Sequence, residues 1–338
     1  MKQYQLHKAE DKYIPILVEA TAKELEVDEI LIAMDAWSLN YRDLLISTLN
    51  PGISREGLVP VSDGSGLIKA VGSNVTHLRV GQRVCPIFFH DWRTGAFKEQ
   101  DLQSALGGGR PGVLSEQIVI HKDSVVAIPE TISALDAATL PCAALTAWQA
   151  LFVRGQLNEH STLLIQGTGG VALFALQFAK AVNAKVILIS SSDVKLNQAH
   201  QLGADVLINY RTNQEWDKEV RRLTEGVGVS HVLELGGPDT FPLSLNCLAA
   251  GGNILQIGVL TGFGAETNLM RLQSINGTIS GISVGSREQF ENMIVFLLQH
   301  KIKPVINTVF PFTQAVEAFD YLASGQHIGK ICLTSVIQ

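Results

Sequence analysis

Short apolar runs with an alternating character dominate the first third of the chain. The segments IPILVEA and EILIAMDAWSL alternate apolar and polar positions, which is the period of a half-buried strand. The stretch GLVPVSDGSGLIKAVGSNVTHLRVGQRVCPIFF then places glycine-containing turns between β-branched runs. Short strands separated by turn signals are typical of a small closed sheet, so the pattern predicts a β-barrel domain.

The pattern changes at about residue 131, where helical spacing first appears. SALDAATLPCAALTAWQALFV is rich in alanine and leucine, and strand-like runs then alternate with helical runs from TLLIQ to TISGISV. This alternation indicates βαβ units and a parallel sheet, and right-handed crossovers favour a doubly wound topology. We therefore predict an α/β fold in which residues 1–125, completed by residues 286–338, form the barrel domain and residues 126–285 form the doubly wound domain.

A glycine-rich joint, QGTGGVA, connects the run TLLIQ to the helical run that follows it. Its G-x-G-x-x-A spacing places Gly167 at a tight turn, Gly169 where the backbone can approach a pyrophosphate, and Ala172 where helix and strand pack closely. The spacing alone also occurs in ordinary turns, but here the preceding strand, the helix and the next strand KVILIS are all present. The segment therefore predicts a dinucleotide site, with the anion on the helix N-terminus. Its residues are Gly167, Thr168, Gly169, Gly170 and Val171.

The strand KVILIS ends without the acidic residue that an NAD-specific site uses to bind the ribose 2′-hydroxyl. Ser190 and Ser191 stand there instead, and Lys195 follows shortly. Hydroxyls and a cation suit a 2′-phosphate, and a charge-assisted bond of about 1.5–3 kcal/mol favours NADPH by roughly ten- to a hundredfold. The nearby Asp193 is interpreted as the N-cap of the next helix. The alternative for Lys195 is an ordinary solvated lysine.

The composition excludes several classes of partner. The chain has 338 residues and a formal net charge of −6 with no block of like charges, so it lacks the basic patch that nucleic acid binding requires. No apolar segment reaches membrane-spanning length, and the start MKQYQLHKAEDKY has no signal-like apolar core. Four scattered cysteines are typical of free thiols in a reducing compartment. We therefore expect a cytoplasmic protein that binds neither nucleic acid nor membrane.

Several longer segments together resemble the medium-chain dehydrogenase/reductase superfamily, and most of all its zinc-independent quinone oxidoreductase branch. They span nearly the whole chain and are AWSLNYRDLLI, VPVSDGSGLIKAVGSNVTHLRVGQRV, LPCAALTAWQAL, LLIQGTGGVALFALQFAKA, KLNQAHQLGADVLINYR and HIGKICL. The resemblance implies a GroES-like barrel domain, a Rossmann domain and a cofactor cleft between them. It also implies a homodimer built by pairing the edge strands of two Rossmann sheets.

The resemblance also assigns cofactor contacts to single residues. Lys195 and Tyr210 match the positions that hold the 2′-phosphate of NADPH in quinone oxidoreductases. The positions implied to lie along the nicotinamide and its ribose are Thr146, Asn40, Gly258 and Val259.

The same alignment argues against a zinc ion. Asn40 stands where the zinc-dependent alcohol dehydrogenases have their first cysteine ligand, Ser62 replaces a histidine, and only Cys142 matches a ligand position. An amide, a hydroxyl and one thiol make a poor zinc site. The loop that would carry a structural zinc, residues 88–112, contains no cysteine. We therefore expect no metal, and we interpret Cys142 as a packed thiol.

These observations together predict an NADPH-dependent, zinc-free oxidoreductase that transfers a hydride to a quinone or an α,β-unsaturated carbonyl compound. A conjugated acceptor spreads the developing negative charge, so positioning and modest hydrogen bonding suffice without a Lewis acid. The candidate catalytic residues are Asn40, Tyr41 and Asp63. Two alternatives stay open: an NADP-dependent alcohol or aldehyde dehydrogenase, and a non-catalytic NADPH-binding sensor.

Overall fold

A computed structural model describes residues 1–10, 12–21, 23–48, 54–264 and 266–335. The strands, in chain order, are β1 (Lys2–Ala9), β2 (Lys12–Glu19), β3 (Glu29–Leu39), β4 (Asp63–Val71), β5 (Arg83–Pro86), β6 (Gln117–His121), β7 (Val125–Ala127), β8 (Thr162–Gln166), β9 (Lys185–Ser190), β10 (Val206–Asn209), β11 (Val229–Glu234), β12 (Leu248–Gln256), β13 (Thr278–Gly281), β14 (Ile306–Pro311) and β15 (Lys330–Thr334). The helices are α1 (Tyr41–Thr48), α2 (Ala134–Ala138), α3 (Leu145–Trp148), α4 (Gly170–Ala181), α5 (Asp193–Gln201), α6 (Trp216–Leu223), α7 (Phe241–Cys247), α8 (Leu269–Ser274), α9 (Arg287–His300) and α10 (Ala315–Ala323). Within these ranges no helix is both long and apolar enough to cross a membrane.

The chain divides into two compact units, Met1–Leu145 with Val284–Gln338, and Thr146–Ser283. The division falls at 145/146, whereas the sequence prediction placed it at 125/126. The intervening residues lie in the first unit because β7 pairs with β5, and because α2 packs against β3 and β4. The chain returns to the first unit at Val284, next to the predicted residue 286.

The first unit is built around a mainly antiparallel sheet with the order β14-β15-β3-β4-β5-β7, in which β6 also pairs with β3. The strands β1 and β2 form a separate antiparallel pair. The core is centred on Trp37, whose indole N–H donates to the Val113 carbonyl oxygen (2.6 Å) and whose ring centroid lies 4.6 Å from that of Phe312. Because Phe312 and β15 come from the C-terminal segment, this segment contributes to the core of the first unit.

The second unit contains a six-stranded sheet with the order β10-β9-β8-β11-β12-β13, and its neighbouring strands are parallel. The chain runs outward from β8 to β10, then crosses to β11 and continues outward to β13. This order is the doubly wound arrangement, which confirms the prediction. Such sheets bind ligands at the carboxyl ends of the strands where the order reverses, which here lies between β8 and β11.

Candidate functional site

The glycine joint lies at the carboxyl end of β8, on one side of this reversal. Gly167 has a φ of +75°, in the left-handed region that favours glycine, whereas Gly169 has an extended backbone with φ −74° and ψ −176°. A Cβ added at either glycine would meet no atom within 4 Å. The backbone of the turn therefore faces open space, where a ligand can approach the main-chain amides.

Helix α4 presents a bare N-terminus beside this turn. Its N-cap, Gly169, makes no side-chain hydrogen bond to the first turn, and the first turn contains no acidic residue. The first N–H groups of a helix have no intrahelical partner and concentrate positive potential. Thr168 is buried, Gly170 and Val171 are half-buried, and the fully buried Ala172 lets α4 lie close to the sheet. These features fit the pyrophosphate of a dinucleotide.

The strands β9 and β10 bring the residues predicted for the 2′-phosphate to adjoining positions. Ser190 ends β9 and pairs with Asn209 of β10, and the N–H of Tyr210 donates to the Ser190 carbonyl oxygen (3.1 Å). Ser191 follows β9, and Lys195 lies in α5, where partial burial lowers the pKa of its ammonium group. Hydroxyl, ammonium and phenol groups thus lie on segments that adjoin at the carboxyl ends of β9 and β10.

The cap of α5 differs from the sequence interpretation. Ser192, not Asp193, is the N-cap, and its Oγ accepts the N–H of Lys195 (3.4 Å). Asp193 is the first helical residue, and its Oδ1 accepts a hydrogen bond from Asn209 Nδ2 (2.7 Å). The interpretation of Asp193 as the cap was wrong because a serine one residue earlier supplies the oxygen that the N3 amide needs.

The loop after β12 lies against the loop after β11. The N–H of Gly258 donates to the Glu234 carbonyl oxygen (3.0 Å), and a Cβ at this glycine would lie 1.8 Å from the carbonyl oxygen of Leu235. Two backbones approach too closely here for any side chain. Val259 is half-buried beside this contact, and Thr146 is buried in α3. The cofactor roles of Gly258, Val259 and Thr146 stay predictions.

A second group of predicted residues comes together in the first unit, where β3 leads into α1. The N–H of Asn40 donates to Asp43 Oδ2 (2.8 Å). Asp63, which opens β4, is fully buried and accepts hydrogen bonds from Ser62 Oγ (2.8 Å) and the N–H of Cys142 (3.2 Å). Burial raises the pKa of Asp43 to about 6 and also raises that of Asp63. Asn40 and Asp63 therefore belong to one buried polar cluster.

A buried cation of this cluster, Lys330, was missed by sequence reasoning. Its buried ammonium group donates to the Leu39 carbonyl oxygen (2.6 Å) and to Asn40 Oδ1 (2.5 Å). Burial dominates the pKa of Asp63, and the charge of Lys330 is the largest effect that opposes it. A lysine inside the apolar run KICL was the available signal, because a fully buried lysine is rare unless it is paired.

Tyr41 lies beside this cluster but on the surface. It opens α1 and is 41% exposed, whereas Asn40 is 8% exposed and Asp63 is not exposed at all. Of the three predicted catalytic residues, Asn40 and Asp63 are therefore buried together, whereas Tyr41 is exposed.

The backbone two residues before Asp63 is strained. Val61 has a φ of +71°, a conformation that is a genuine outlier for a β-branched residue, and its side chain is fully buried. A Cβ added at Gly107 would lie 2.8 Å from the backbone nitrogen of Val61. A Cβ added at Gly112 would lie 2.2 Å from the carbonyl oxygen of Val61. This close glycine backbone holds Val61 in place at a cost of about 1–3 kcal/mol, and so fixes the start of β4.

The buried cluster does not fit a zinc ion. Asn40 Oδ1 already accepts the Lys330 ammonium group, Asp63 accepts the amide of Cys142, and burial raises the pKa of the Cys142 thiol far above its usual range. Zinc binds thiolates, neutral imidazoles and carboxylates, and a fixed cation among the donors opposes it. Among the residues that the structure describes, no three His, Cys, Asp or Glu side chains are grouped as metal ligands.

Comparison with known proteins identifies both units. An alcohol dehydrogenase GroES-like domain matches residues 26–130, and a zinc-binding dehydrogenase domain matches residues 170–299. A zinc-type alcohol dehydrogenase-like protein of Schizosaccharomyces pombe is 41% identical over 318 residues, which are 92% of this chain and 92% of that protein. The structure of Escherichia coli quinone oxidoreductase complexed with NADPH is 25% identical, with a TM-score of 0.83 over 99% of this chain and 100% of that one. An NAD-dependent alcohol dehydrogenase is 27% identical, with a TM-score of 0.86 and the same coverage. These matches confirm the predicted GroES-like and Rossmann domains.

Proposed function

Because the chain belongs to the medium-chain dehydrogenase/reductase superfamily, and so is an oxidoreductase that uses a nicotinamide cofactor, we propose that it is an NADPH-dependent, zinc-free reductase of quinones or α,β-unsaturated carbonyl compounds. The observation that carries the proposal is the buried cluster of Asn40, Asp63 and Lys330, whose cation is the protein's own ammonium group. Such a cluster offers hydrogen bonds and fixed charges in place of a ligand set for a Lewis acid.

The choice of NADPH is supported by the residues at the ends of β9 and β10. The turn at Gly167 and Gly169 would hold the pyrophosphate at the N-terminus of α4, and Ser190, Lys195 and Tyr210 would hold the 2′-phosphate. The similarity to a quinone oxidoreductase that binds NADPH adds to this. Because the chain is also similar to an NAD-dependent enzyme, the measurement that distinguishes the two cofactors is the ratio of the Kd for NADPH to the Kd for NADH.

The bound cofactor supplies the hydride, so the protein must orient the acceptor and stabilise charge on its oxygen. An enone or quinone spreads that charge over a conjugated system, which lowers the demand on any one protein group. Asn40 is held by Lys330, and the exposed phenol of Tyr41 is the accessible group that can hold a proton. Asp63 is fully buried and already bonded, so its role is to balance the charge of Lys330.

The test is turnover of NADPH by protein purified without chelator, with 1,4-benzoquinone and a panel of enones as acceptors. We expect oxidation of NADPH, together with zinc far below one ion per chain by elemental analysis. Tight NADPH binding with no turnover of any acceptor would refute the proposal and favour the sensor.

A second candidate function is an NADP-dependent alcohol or aldehyde dehydrogenase. It is favoured by the relative from Schizosaccharomyces pombe, which is named for alcohol dehydrogenase and is 41% identical. The discriminating assay is reduction of NADP⁺ by primary and secondary alcohols, before and after incubation with zinc. One zinc per chain, with activity that chelation removes, would establish this alternative.

We also propose that the protein forms a homodimer through β13, the edge strand of the six-stranded sheet. Ile279 on this strand is 37% exposed, and Leu269 and Met270 in the preceding helix are 69% and 74% exposed. An unpaired strand edge flanked by apolar side chains favours pairing with a second copy. Sedimentation should show a dimer that Ile279→Lys converts to monomer. The control Val227→Lys, at an exposed valine elsewhere in the same unit, should stay dimeric.

A cytoplasmic setting is proposed on the state of the cysteines. All four are free thiols, and three of them are buried, which suits a reducing compartment. Cell fractionation should place the protein with cytosolic markers, and a secreted product would contradict this.

A further inference from the structure

A buried carboxylate lies where the order of the Rossmann sheet reverses. Strands β8 and β11 are neighbours in the sheet, and they end at Gln166 and Glu234. Gln166 directly precedes the glycine turn, and Glu234 is separated by Leu235 alone from a second pair of glycines, Gly236 and Gly237. Glu234 is not exposed at all, and Gln166 is 6% exposed.

Five neutral donors surround the Glu234 carboxylate. Its Oε1 accepts from the N–H groups of Gly236 (2.9 Å) and Gly237 (3.0 Å) and from Thr240 Oγ1 (2.5 Å). Its Oε2 accepts from Gln166 Nε2 (2.7 Å) and from Ser244 Oγ. Hydrogen bonds of this kind can hold a buried carboxylate without a direct ion pair.

The same group connects three loops. Gln166 Oε1 accepts the N–H groups of Leu235 and Gly236 (3.0 Å each), which ties the residue before the glycine turn to the loop after β11. The main-chain oxygen of Glu234 accepts the N–H groups of Ile257 and Gly258 (3.0 Å each), which adds the loop after β12. The loops after β8, β11 and β12 are therefore held in one arrangement through Glu234.

A buried charged network around Glu234 is not needed for stability alone. Well-packed apolar residues of similar volume often match or exceed the stability of a buried charged network. What an apolar replacement cannot do is orient specific backbone N–H groups of the glycine loops, because only an acceptor fixes their direction.

We propose that Glu234 is a positioning residue for the dinucleotide: through Gln166 and the glycine amides it sets the relative positions of the loops that receive the cofactor. The proposal rests on the proposed function only in its use of a bound NADPH. It predicts that changing the pattern of donors and acceptors weakens NADPH binding in protein that is still folded.

The first variant is Glu234→Gln, which sets an N–H donor against either the Gln166 amide or the loop amides. We expect the Kd for NADPH to rise about tenfold or more, since misplaced loops lose their pre-organisation. Thr240→Val removes one donor and should raise the Kd by about threefold, on the same reasoning. Glu159→Gln, at an exposed glutamate of the same unit, is the control and should leave the Kd unchanged.

The decisive variant exchanges the two side chains. Gln166→Glu alone sets two carboxylates against each other and should bind as poorly as Glu234→Gln. In the double variant Gln166→Glu/Glu234→Gln, a carboxylate at position 166 accepts the amides of Leu235 and Gly236. The amide at position 234 keeps an oxygen toward Gly236 and Gly237. We expect a Kd within about threefold of the wild-type value, because each donor again meets an acceptor.

Calorimetric NADPH titration and thermal unfolding of each variant separate positioning from stability. A folded Glu234→Gln protein with the wild-type Kd overturns the proposal, as does an exchanged variant that folds normally but binds as poorly as both single variants. NADPH binding without turnover of any acceptor overturns only the proposed function. A wild-type protein that binds neither dinucleotide overturns both.

Discussion

Replacing Lys330 with methionine tests the idea that this lysine is the internal cation of the first unit. Methionine keeps much of the side-chain volume and removes the charge and the donors. Lys330 is 3% exposed and donates to the Leu39 oxygen and to Asn40 Oδ1. In the variant both oxygens lose a charged donor, and Asp63 loses the main effect that favours its ionised form.

The expected cost follows from these contacts. An orphaned buried acceptor costs about 1–3 kcal/mol, and leaving a buried charge without a compensating cation costs about 3–5 kcal/mol in total. These figures overlap, so we expect a loss of about 3–5 kcal/mol in the free energy of unfolding. For a unit of this size, the unfolding midpoint should fall by roughly 6–20 °C. The double variant Lys330→Met/Asp63→Asn removes the stranded charge as well, and should recover much of this loss.

The assay is scanning calorimetry at pH 5 and pH 8, with Lys69→Met at an exposed position of β4 as control. Without the lysine, no charge of that size opposes the effect of burial, so the pKa of Asp63 should rise further. Protonation of Asp63 at acid pH then removes the buried negative charge that destabilises the variant. A raised carboxyl pKa means that stability is lost as pH rises, so the deficit of the variant should be larger at pH 8 than at pH 5. An equal deficit at both pH values, with no recovery in the double variant, would refute the reasoning from charge.

Three further predictions follow from the site. Lys195→Ala should weaken the binding of NADPH by about ten- to a hundredfold, while the binding of NADH changes little. Lys185→Ala, at the other end of β9, is the control. Equal losses of affinity for both dinucleotides would contradict the assignment of Lys195 to the 2′-phosphate. The Gly169→Val variant should fold normally, because a Cβ at this position would meet no atom within 4 Å and the backbone there is extended. It should nevertheless lose the increase in unfolding temperature that NADPH produces in the wild type. A variant that still gains stability with NADPH would contradict this. Asp43 has a pKa raised by burial to about 6, above its ordinary value of 3.8, so its contribution to stability falls as pH rises through this window. Asp43→Asn should therefore flatten the pH profile of chemical denaturation, gaining about 2 kcal/mol on the wild type between pH 4 and pH 7, and an unchanged slope would show that the carboxyl titrates normally.

The architecture of the second unit could be predicted because its signals are local. The residues that make the turn after β8 follow one another in the chain. The strand, turn and helix can therefore be predicted from the spacing of Gly167 to Ala172 and from the apolar runs on either side. The same holds for the serines at the end of β9. The cap of α5 was misassigned by one residue, because Ser192 and Asp193 are both good caps and only the bond to the Lys195 amide distinguishes them.

The polar partners of the two sites could not be predicted because they are far apart in the chain. Lys330 and Asn40 are separated by 290 positions, and Gln166 and Glu234 by 68. Each looks unremarkable in its own segment: a lysine within a strand, or a glutamate at a strand end. Only strand pairing, with β15 beside β3 and β11 beside β8, brings the charges and their acceptors together.

The sequence does not mark the boundary at 145/146, for a related reason. The alanine-rich run that contains α2 has a helical period on either assignment, and nothing in its composition says which sheet it covers. The contacts of α2 with β3 and β4, and the bond from Cys142 to Asp63, place it in the first unit.

The position of β15 has a consequence for how the protein is made. In the finished sheet this strand lies between β14 and β3, although it follows all the other described strands in chain order. The Rossmann unit is one continuous segment and is available to fold while translation continues. The sheet of the first unit cannot be completed until β15 is synthesised, and until then the part of β3 that it pairs, Ala36 to Leu39, is open to other strands. A chain that stops shortly before residue 330 would therefore leave the β15-pairing part of β3, Ala36 to Leu39, without its partner strand.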